Sequence, residues 1–374
     1  MDKVLLLISL ILFAIGLVMV FSASNVAAFM RYSASPYKFV IKQGLFLFVS
    51  FVASLFIIRV STKTYSFISW PGMLCIMGLL AFVLIYGKTT NNATSWFTIG
   101  PFSLQPSEFL KVIMIVWVAS FYKVKRNNLD SYMTSLFPVF IAILCFVLIL
   151  LQPDLGTGLI FGFIVMFLFF ISPIAKDIKF KTIGIILGLG VIGISFLLSS
   201  GAELISERQL SRFDFSKPCS EEKFYTDGNQ VCNAYIAVNN GGLTGKGLGD
   251  STQKYLYLPE AHTDFIFAIV LEELGLAAGI FIIILFMILL ARIMIIGRRA
   301  HNNECAIICY GIAFYIFLHI VINLMGIFGL MPMTGVPLPF LSYGGSFTLC
   351  LVVSLTIVQR IAIENKIFEE KKLK

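Results

Sequence analysis

Charged side chains are scarce in this sequence of 374 residues. Asp, Glu, Lys and Arg make up 13% of it, whereas 58% of its residues are hydrophobic and the mean hydropathy is +0.93. Soluble domains carry about 25% charged residues, so the composition excludes a soluble fold and is typical of an integral membrane protein. Histidine is rarer still, with three residues far apart in the chain, and we expect no metal site built from Cys and His. The sequence also lacks a nucleotide-binding P-loop and the internal repeat common in transporters.

The apolar residues are gathered into long runs. A hydrocarbon core of roughly 30 Å needs about 20 apolar residues per helix, and ten runs of about this length are present. The sequence therefore predicts an all-α polytopic membrane protein, a single domain over residues 1–374 with ten transmembrane helices. The long eighth run is expected to form one tilted helix that protrudes beyond the bilayer. The predicted spans are 3–22, 39–58, 67–87, 106–122, 132–151, 155–172, 182–199, 264–296, 304–328 and 339–360.

Lys and Arg are concentrated in alternate loops, and cytoplasmic loops hold the excess of these residues. The short loops on the other side hold only Arg31, Lys38, Lys42 and Lys88. Both termini are therefore expected to be cytoplasmic. The net charge of +8 is explained by this bias and by contact with anionic membrane lipids. Because the basic residues are scattered over separate short loops, nucleic-acid binding is not expected.

One long polar segment, residues 200–262, lies between the predicted seventh and eighth helices and forms a large extracellular loop. An oxidising exterior permits a disulfide between its Cys219 and Cys232, the alternative being two free thiols. The stretch "NNGGLTGKGLG" (239–249) surrounds Lys246 with glycines, which let a backbone approach a phosphate closely. The alternative is a flexible loop that turns over the membrane surface.

The stretch "LPEAHTDFIFAIVLEELG" (258–275) runs from this polar loop into an apolar helix. Thr263 is expected to cap that helix and Asp264 to lie ionised in its first turn, near the outer surface. Glu272 lies about 12 Å deeper, and Glu273 points to the opposite side. Acids at this depth are either functional or paired with a basic residue on another helix. The oxygens of Glu260 and Asp264 also suit a divalent cation such as Mg²⁺ or Mn²⁺.

Three further segments place polar residues near the outer surface. In "SLQPSEFLK" (103–111), Glu108 and Lys111 share a helix face, so either they pair or Lys111 meets a phosphate while Glu108 positions it. In "LQPDLGTG" (151–158), Asp154 stands at a helix start and suits a cap. The stretch "MPMTGVPLPFLSYGGS" (331–346) puts prolines and glycines at membrane depth. Non-helical backbone there must be buried in protein or line a cavity, which favours a re-entrant segment lining a groove.

Together these stretches resemble the SEDS family of peptidoglycan polymerases, which contains FtsW, RodA and SpoVE. The matching pieces stand in family order and span nearly the whole chain. Two stretches, "GLVMVFSAS" and "EAHTDFIFA", are more similar to the FtsW branch than to RodA. The pieces are "GLVMVFSAS" (16–24), "QPSEFLK" (105–111), "QPDLGTG" (152–158), "LPEAHTDFIFAIVLEELG" (258–275) and "PLPFLSYGGS" (337–346).

The resemblance implies an inverting glycosyltransferase that polymerises lipid II at the outer face of the bacterial plasma membrane, for septal wall synthesis in cell division. It assigns the catalytic role to Asp264. It also implies undecaprenyl-diphosphate-linked glycan as a ligand, and a class B penicillin-binding protein and divisome proteins as partners. The alternatives are a lipid II flippase, a RodA-type elongation polymerase and a scaffold without activity. The predicted substrate-binding residues are Lys111, Glu108, Glu260, His262, Asp154, Lys246 and Ser342.

Overall fold

The computed structural model describes residues 1–90, 93–99, 102–199, 218–220, 224, 228–332 and 334–372. Within these ranges helices occupy all ten predicted positions, and an additional helix, α8, lies in the loop before α9 that is predicted to be extracellular and is here called the outer loop. The helices are α1 (Lys3–Met30), α2 (Lys38–Ile57), α3 (Tyr65–Tyr86), α4 (Pro106–Val124), α5 (Tyr132–Leu150), α6 (Leu155–Ile171), α7 (Lys176–Ser199), α8 (Asn229–Gly241), α9 (Ile266–Arg298), α10 (Asn303–Ile327) and α11 (Gly345–Lys372).

The prediction of an all-α polytopic membrane fold is confirmed. Among the described residues, seven helical segments are long and apolar enough to cross a membrane, and α6 is a shorter apolar helix. The number of ten spans stays a prediction. A small antiparallel sheet between α3 and α4 was not predicted; its strands, in the order β1-β2-β3, are β1 (Lys88–Thr90), β2 (Ala93–Ile99) and β3 (Phe102–Leu104).

Burial separates central helices from peripheral ones. In the most apolar window of each helix, 72% of α11 and 67% of α10 is buried inside the protein, against 17% of α2. A helix that is apolar all round and mostly exposed has to face lipid, so α2 is peripheral. The core therefore sits on α10 and α11, with α4 packed against both of them.

The two ends of the chain are tied together at one end of the helix bundle. Arg292, near the end of α9, donates to the Asp2 carboxylate at 2.6 Å. The backbone N–H of Asp2 also donates to Oε1 of Gln359 in the second half of α11, at 2.7 Å. These bonds fit two termini on the same side of a membrane, as the distribution of Lys and Arg predicts.

The prediction of one continuous eighth helix is wrong, because α9 is broken at Gly275, where φ is 81° and ψ is 174°. The outer loop replaces the helical hydrogen bonds lost at this break. The carbonyls of Glu272 and Glu273 accept from the N–H groups of Lys246 and Gly247, both at 3.0 Å. In return, the N–H of Leu276 donates to the carbonyl of Gly242 at 2.9 Å, and that of Ala277 to Leu243 at 3.2 Å. The break is thus fully bonded, as backbone near a membrane must be.

Glycines make this exchange of bonds possible. A methyl group on Gly241 would collide with the carbonyl oxygen of Leu271, and one on Gly245 with that of Glu273. At Gly275 it would collide with the backbone N of Gly245. We call residues 241–249 the strap. Gly241 and Gly245 allow its close approach to α9, and its Lys246 and Gly247 amides bind protein carbonyls rather than standing free for a phosphate.

The outer loop carries one further link. Cys219 and Cys232 form a disulfide with their Cα atoms 5.1 Å apart. Because Cys232 lies on α8, and α8 packs against α9, the disulfide ties an earlier part of the loop to the wall of the broken helix. The remainder of the predicted loop, including 201–217, lies outside the described residues.

Replacing Gly245 by Ala tests the strap. The substitution should lower the stability by about 2 kcal/mol or more, because φ is +80° and the new methyl group meets backbone. The apparent melting temperature of the detergent-solubilised protein measures this effect.

Gly78→Ala in α3 is the matched control, since nothing lies within 4 Å of the added methyl group. It should be neutral or slightly stabilising, by up to about 1 kcal/mol. Equal melting temperatures for both variants would contradict the role given to the strap.

Candidate active site

The segment before α9 carries the predicted catalytic residue. Helix α9 begins at Ile266, and its N-cap, Phe265, makes no side-chain cap bond. The predicted cap by Thr263 is therefore wrong: its hydroxyl donates to the backbone carbonyl of Glu260 at 3.1 Å. Glu260 has φ +54° and heads a tight turn that also receives the N–H groups of Thr263 and Phe265. This turn leaves Asp264 two residues ahead of the helix rather than in its first turn.

The Asp264 carboxyl group is partly buried, and among the described residues no hydrogen-bond donor supports it. Burial, reinforced by the negative charge of Glu260, raises its pKa to about 7. The expected fully ionised group is therefore wrong. At neutral pH this carboxyl takes up and releases a proton readily, which is the property of a general acid or base.

A positively charged side chain, Arg31, lies beside Glu260, whose negative charge acts on Asp264. Nη1 of Arg31, at the end of α1, is 3.6 Å from Oε1 of Glu260, and 54% of the Arg31 side chain is exposed. Nζ of Lys38 lies 5.1 Å from the ring centroid of Tyr32 in the same outer connection. The outer edge of the site therefore carries positive charge that is open to solvent.

His262 is a packing residue in this structure. Its ring is buried, 4.5 Å from the ring of Phe39 and 5.7 Å from that of Tyr343 between centroids. Burial lowers its pKa below the usual value, so the imidazole is neutral at pH 7. It anchors the turn between α2 and the segment before α11.

That second segment, residues 331–344, is non-helical and largely buried in protein over its described residues, 331–332 and 334–344. It is stitched to the turn by its backbone: the N–H of Tyr343 donates to the carbonyl of His262 at 2.9 Å. The hydroxyl of Ser342 donates to the carbonyl of Thr263 at 2.6 Å and accepts from the N–H of Leu338 at 2.8 Å. Ser342 thus shapes the site through backbone contacts. We call residues 331–344 the re-entrant segment.

Lys111 is fully buried and not at an open outer surface. Its Nζ donates to Oε1 of Glu108 at 2.8 Å and to Nε2 of His319 at 3.1 Å. Nδ1 of His319 in turn lies 3.3 Å from the carbonyl of Pro337 in the re-entrant segment. Of the two interpretations of this motif, the structure has the mutual pair, extended by a histidine that the sequence reasoning did not connect to it.

Two other predicted residues bind within the protein. Asp154 caps α6 by accepting from the N–H of Thr157 at 3.1 Å, and it also accepts from the side chain of Gln105 at 2.8 Å. Lys246 pairs with Glu272 at 3.4 Å. No described contact joins Asp154, Lys246 or Lys111 to Asp264. These three side chains are therefore not part of its immediate surroundings.

Glu272 and Glu273 are buried, and their partners come from the outer loop and α1 rather than from basic residues of other helices. Glu272 accepts from Ser251, Thr252 and Asn240 at 2.5, 2.7 and 3.1 Å. Glu273 accepts from Ser22 at 2.7 Å and from Lys254 at 3.0 Å. Both acids therefore hold the loop in place. Among the described residues, no group of three or more His, Cys, Asp and Glu side chains could hold a metal ion.

Sequence reasoning also missed Asn323 of α10. Its side-chain N–H groups donate to the carbonyls of Asp264 and Val336, both at 2.8 Å. The available signal was a polar side chain inside an apolar span, which is costly unless it is used.

Comparison with known proteins identifies the fold and the family. The sequence profile of the FtsW/RodA/SpoVE family, described as cell cycle proteins, matches residues 2–367. The chain is 35% identical over 386 residues to the probable peptidoglycan glycosyltransferase FtsW of Bacillus subtilis, covering 100% of this chain and 93% of that protein. It is 35% identical over 368 residues to the stage V sporulation protein E of the same organism, covering 96% of each chain.

Two solved structures share the fold at 22% identity. A chain of a peptidoglycan synthase complex that coordinates polymerization and crosslinking superimposes with a TM-score of 0.74, covering 97% of this chain and 98% of that one. RodA of Thermus thermophilus gives a TM-score of 0.68, covering 97% of each chain. A profile match over nearly the full length, together with relatives at 35% identity, places this chain in the FtsW/RodA/SpoVE family.

Proposed function

We propose that this multi-pass membrane protein is an inverting peptidoglycan glycosyltransferase. It polymerises glycan strands from lipid II at the outer face of the plasma membrane, in septal wall synthesis. Curated relatives of similar length are named probable peptidoglycan glycosyltransferase FtsW. The observation that carries the mechanism is Asp264, a carboxyl group that has no donor among the described residues and a pKa raised to about 7, just before the start of a membrane helix.

The reaction joins the 4-hydroxyl of one lipid-linked sugar to the anomeric carbon of another. As the new C–O bond forms, the bond to the diphosphate breaks and the hydroxyl proton passes to Asp264. A base is most effective when its pKa lies near the working pH, which suits the raised pKa of this carboxyl. Because a single displacement has no covalent intermediate, the anomeric configuration inverts.

The leaving diphosphate requires cations. Lys111 is buried and already bound to Glu108, so it serves this role less well than the exposed guanidinium of Arg31, which pairs with Glu260 beside the catalytic residue. We therefore assign the diphosphate contact to Arg31, with Lys38 next to it. A planar guanidinium binds phosphate oxygens in pairs.

The other predicted residues act around this centre. Glu260, His262 and Ser342 shape the turn that carries Asp264, whereas Glu108, Asp154 and Lys246 bind other parts of the protein. An apolar pocket of about 240 Å³ between α6, α10 and the re-entrant segment offers a surface for an isoprenoid chain. Glu260 and Asp264 present oxygens to which Mg²⁺ or Mn²⁺ can bind.

The chain requires a partner that crosslinks the strands it makes. We propose a class B penicillin-binding protein, along with other divisome proteins. The solved complex with which this fold superimposes combines polymerization and crosslinking. The distribution of Lys and Arg supports a cytoplasmic location of both termini.

Asp264→Asn should abolish polymerisation. The variant keeps the shape of the side chain and removes the base, so the rate should fall by at least about 100-fold. Its stability should not fall, because it replaces a carboxyl group whose charged form burial disfavours. The measurement is glycan formation from purified lipid II, with and without the penicillin-binding protein, at a verified melting temperature.

Asp130→Asn, at an exposed residue between α4 and α5, is the matched control and should be fully active. Polymer of wild-type amount from Asp264→Asn would remove this residue from catalysis. No polymer from the wild type, with lipid II crossing vesicles that contain it, would favour the flippase.

The rate should rise with pH through about 7. The base works deprotonated, and the raised pKa of Asp264 leaves roughly a tenth of it in that form at pH 6 and roughly nine-tenths at pH 8. Glu260→Gln removes the negative charge that favours the proton on Asp264, so its profile should move to lower pH. Initial rates from pH 5.5 to 9 measure both. A wild-type rate that stays constant down to pH 5.5 would contradict the proposed environment of Asp264.

Lys111→Met should destabilise the protein by about 3–5 kcal/mol, because it leaves the buried Glu108 without its cation. The double variant Glu108→Leu/Lys111→Met should recover most of that loss. Thermal unfolding in detergent measures both variants. If Lys111→Met instead kept the wild-type melting temperature and weakened only lipid II binding, Lys111 would be a phosphate ligand after all.

A further inference from the structure

Asn323 is buried within α10, and both of its side-chain N–H groups donate hydrogen bonds to backbone carbonyls. One carbonyl belongs to Asp264 and the other to Val336, each at 2.8 Å. The amide therefore bridges the turn before α9 and the re-entrant segment. These two stretches lie more than 70 residues apart in sequence and meet beside the catalytic carboxyl: a methyl group on Gly335 would lie 3.6 Å from Oδ2 of Asp264.

The same face of α10 also contacts the residue after Val336 in the re-entrant segment, Pro337. His319 lies four positions before Asn323, one turn away on that face, and its Nδ1 is 3.3 Å from the carbonyl of Pro337. The Lys111 ammonium on its Nε2, at 3.1 Å, requires that nitrogen to be the acceptor, so Nδ1 carries the proton and donates. Two side chains of α10 thus grip the consecutive carbonyls of Val336 and Pro337.

Asp264 depends on such contacts more than most carboxylates do. No described residue donates to its side chain, so the position of its carboxyl is set by its backbone. That backbone precedes α9, whose N-cap residue, Phe265, makes no side-chain cap bond. Asn323 is the side chain that binds the backbone of Asp264 itself, while Ser342 binds the preceding residue, Thr263.

The side-chain oxygen of Asn323 also indicates that this residue has a functional role. Its Oδ1 is buried and has no partner among the described residues. A buried acceptor without a partner costs about 1–3 kcal/mol, and a leucine of similar size would avoid that cost. Such an unsatisfied group calls for a compensating role.

We infer that Asn323 is a positioning residue for the reaction: it fixes the backbone of Asp264 against the re-entrant segment so that the carboxyl meets the acceptor hydroxyl. This inference rests on the proposed function. It concerns the placement of the base, so its loss should reduce kcat rather than the binding of lipid II. A displacement of about 1 Å can cost on the order of 100-fold in rate.

The test compares Asn323→Leu with Asn365→Leu in the full-length protein with its partner. Asn365 in α11 makes the same kind of bond, from its amide to the carbonyl of Ile296 at 3.2 Å, at the end of α9 remote from Asp264. Both variants lose a buried amide donor. Asn323→Leu should lower kcat at least about tenfold with KM changed less than about twofold. Asn365→Leu should keep the wild-type kcat.

The pH profile separates positioning from general stability. A loosened Asp264 is better hydrated, so its pKa should fall and the acidic limb of kcat should move to lower pH in Asn323→Leu alone. Equal losses of kcat in both variants, in step with their melting temperatures and without a shifted limb, would overturn the inference.

Two further variants keep the outcomes distinct. Asp264→Asn is measured in parallel: if it is inactive while Asn323→Leu has the wild-type kcat and limb, the inference fails and the proposed function stands. If Asp264→Asn is fully active, the catalytic role of Asp264 and the inference both fail, whereas the absence of polymer from the wild type would overturn the proposed function itself. If Asn323→Leu does not fold, Asn323→Ser, which keeps one donor, decides: a lower kcat with a shifted limb supports the inference, and wild-type values overturn it.

Discussion

A buried carboxylate needs donors from the protein, and this requirement organises the outer half of the molecule. Glu272 and Glu273 occupy adjacent positions just before the break in α9, and the described residues 240–254 direct hydroxyl, amide and ammonium groups at them. The loop is held in place by these bonds and can then supply its backbone to the broken helix. Asp264, eight residues before Glu272, receives no such donor from the part of the chain that the structure describes. Glu272 and Glu273 are therefore held by hydrogen bonds, whereas Asp264 is left available for reaction.

The positions of the membrane helices could be predicted from sequence because hydrophobicity is a local property of each run. The break in α9 could not, because it depends on the strap, which lies about 30 residues earlier, and a glycine in an apolar run reads as ordinary packing. Helix α8 lies in a polar segment without an apolar run of its own. The sheet between α3 and α4 consists of strands of three to seven residues, too short to stand out from turns.

The candidate site was predicted in part for the same reason. Asp264 stands in a distinctive motif, so its importance was visible before its surroundings were. The state of its proton was not, since that depends on the turn at Glu260 and on burial by other segments. Lys111 was expected at an open surface because its depth was judged from its own helix. His319 arrives from α10 and completes its environment, and no local pattern announces such a partner.

Gly241, Gly245 and Gly275 have an evolutionary consequence. At each of these glycines, the main chain of the facing segment occupies the space where a side chain would stand. A side chain gained at one position cannot be offset by a smaller residue opposite, because what lies opposite is main chain, which has nothing to shed. Ordinary compensating substitution is therefore closed to this part of the protein. Substitutions that this part of the protein tolerates therefore have to fall in the side chains around the three glycines.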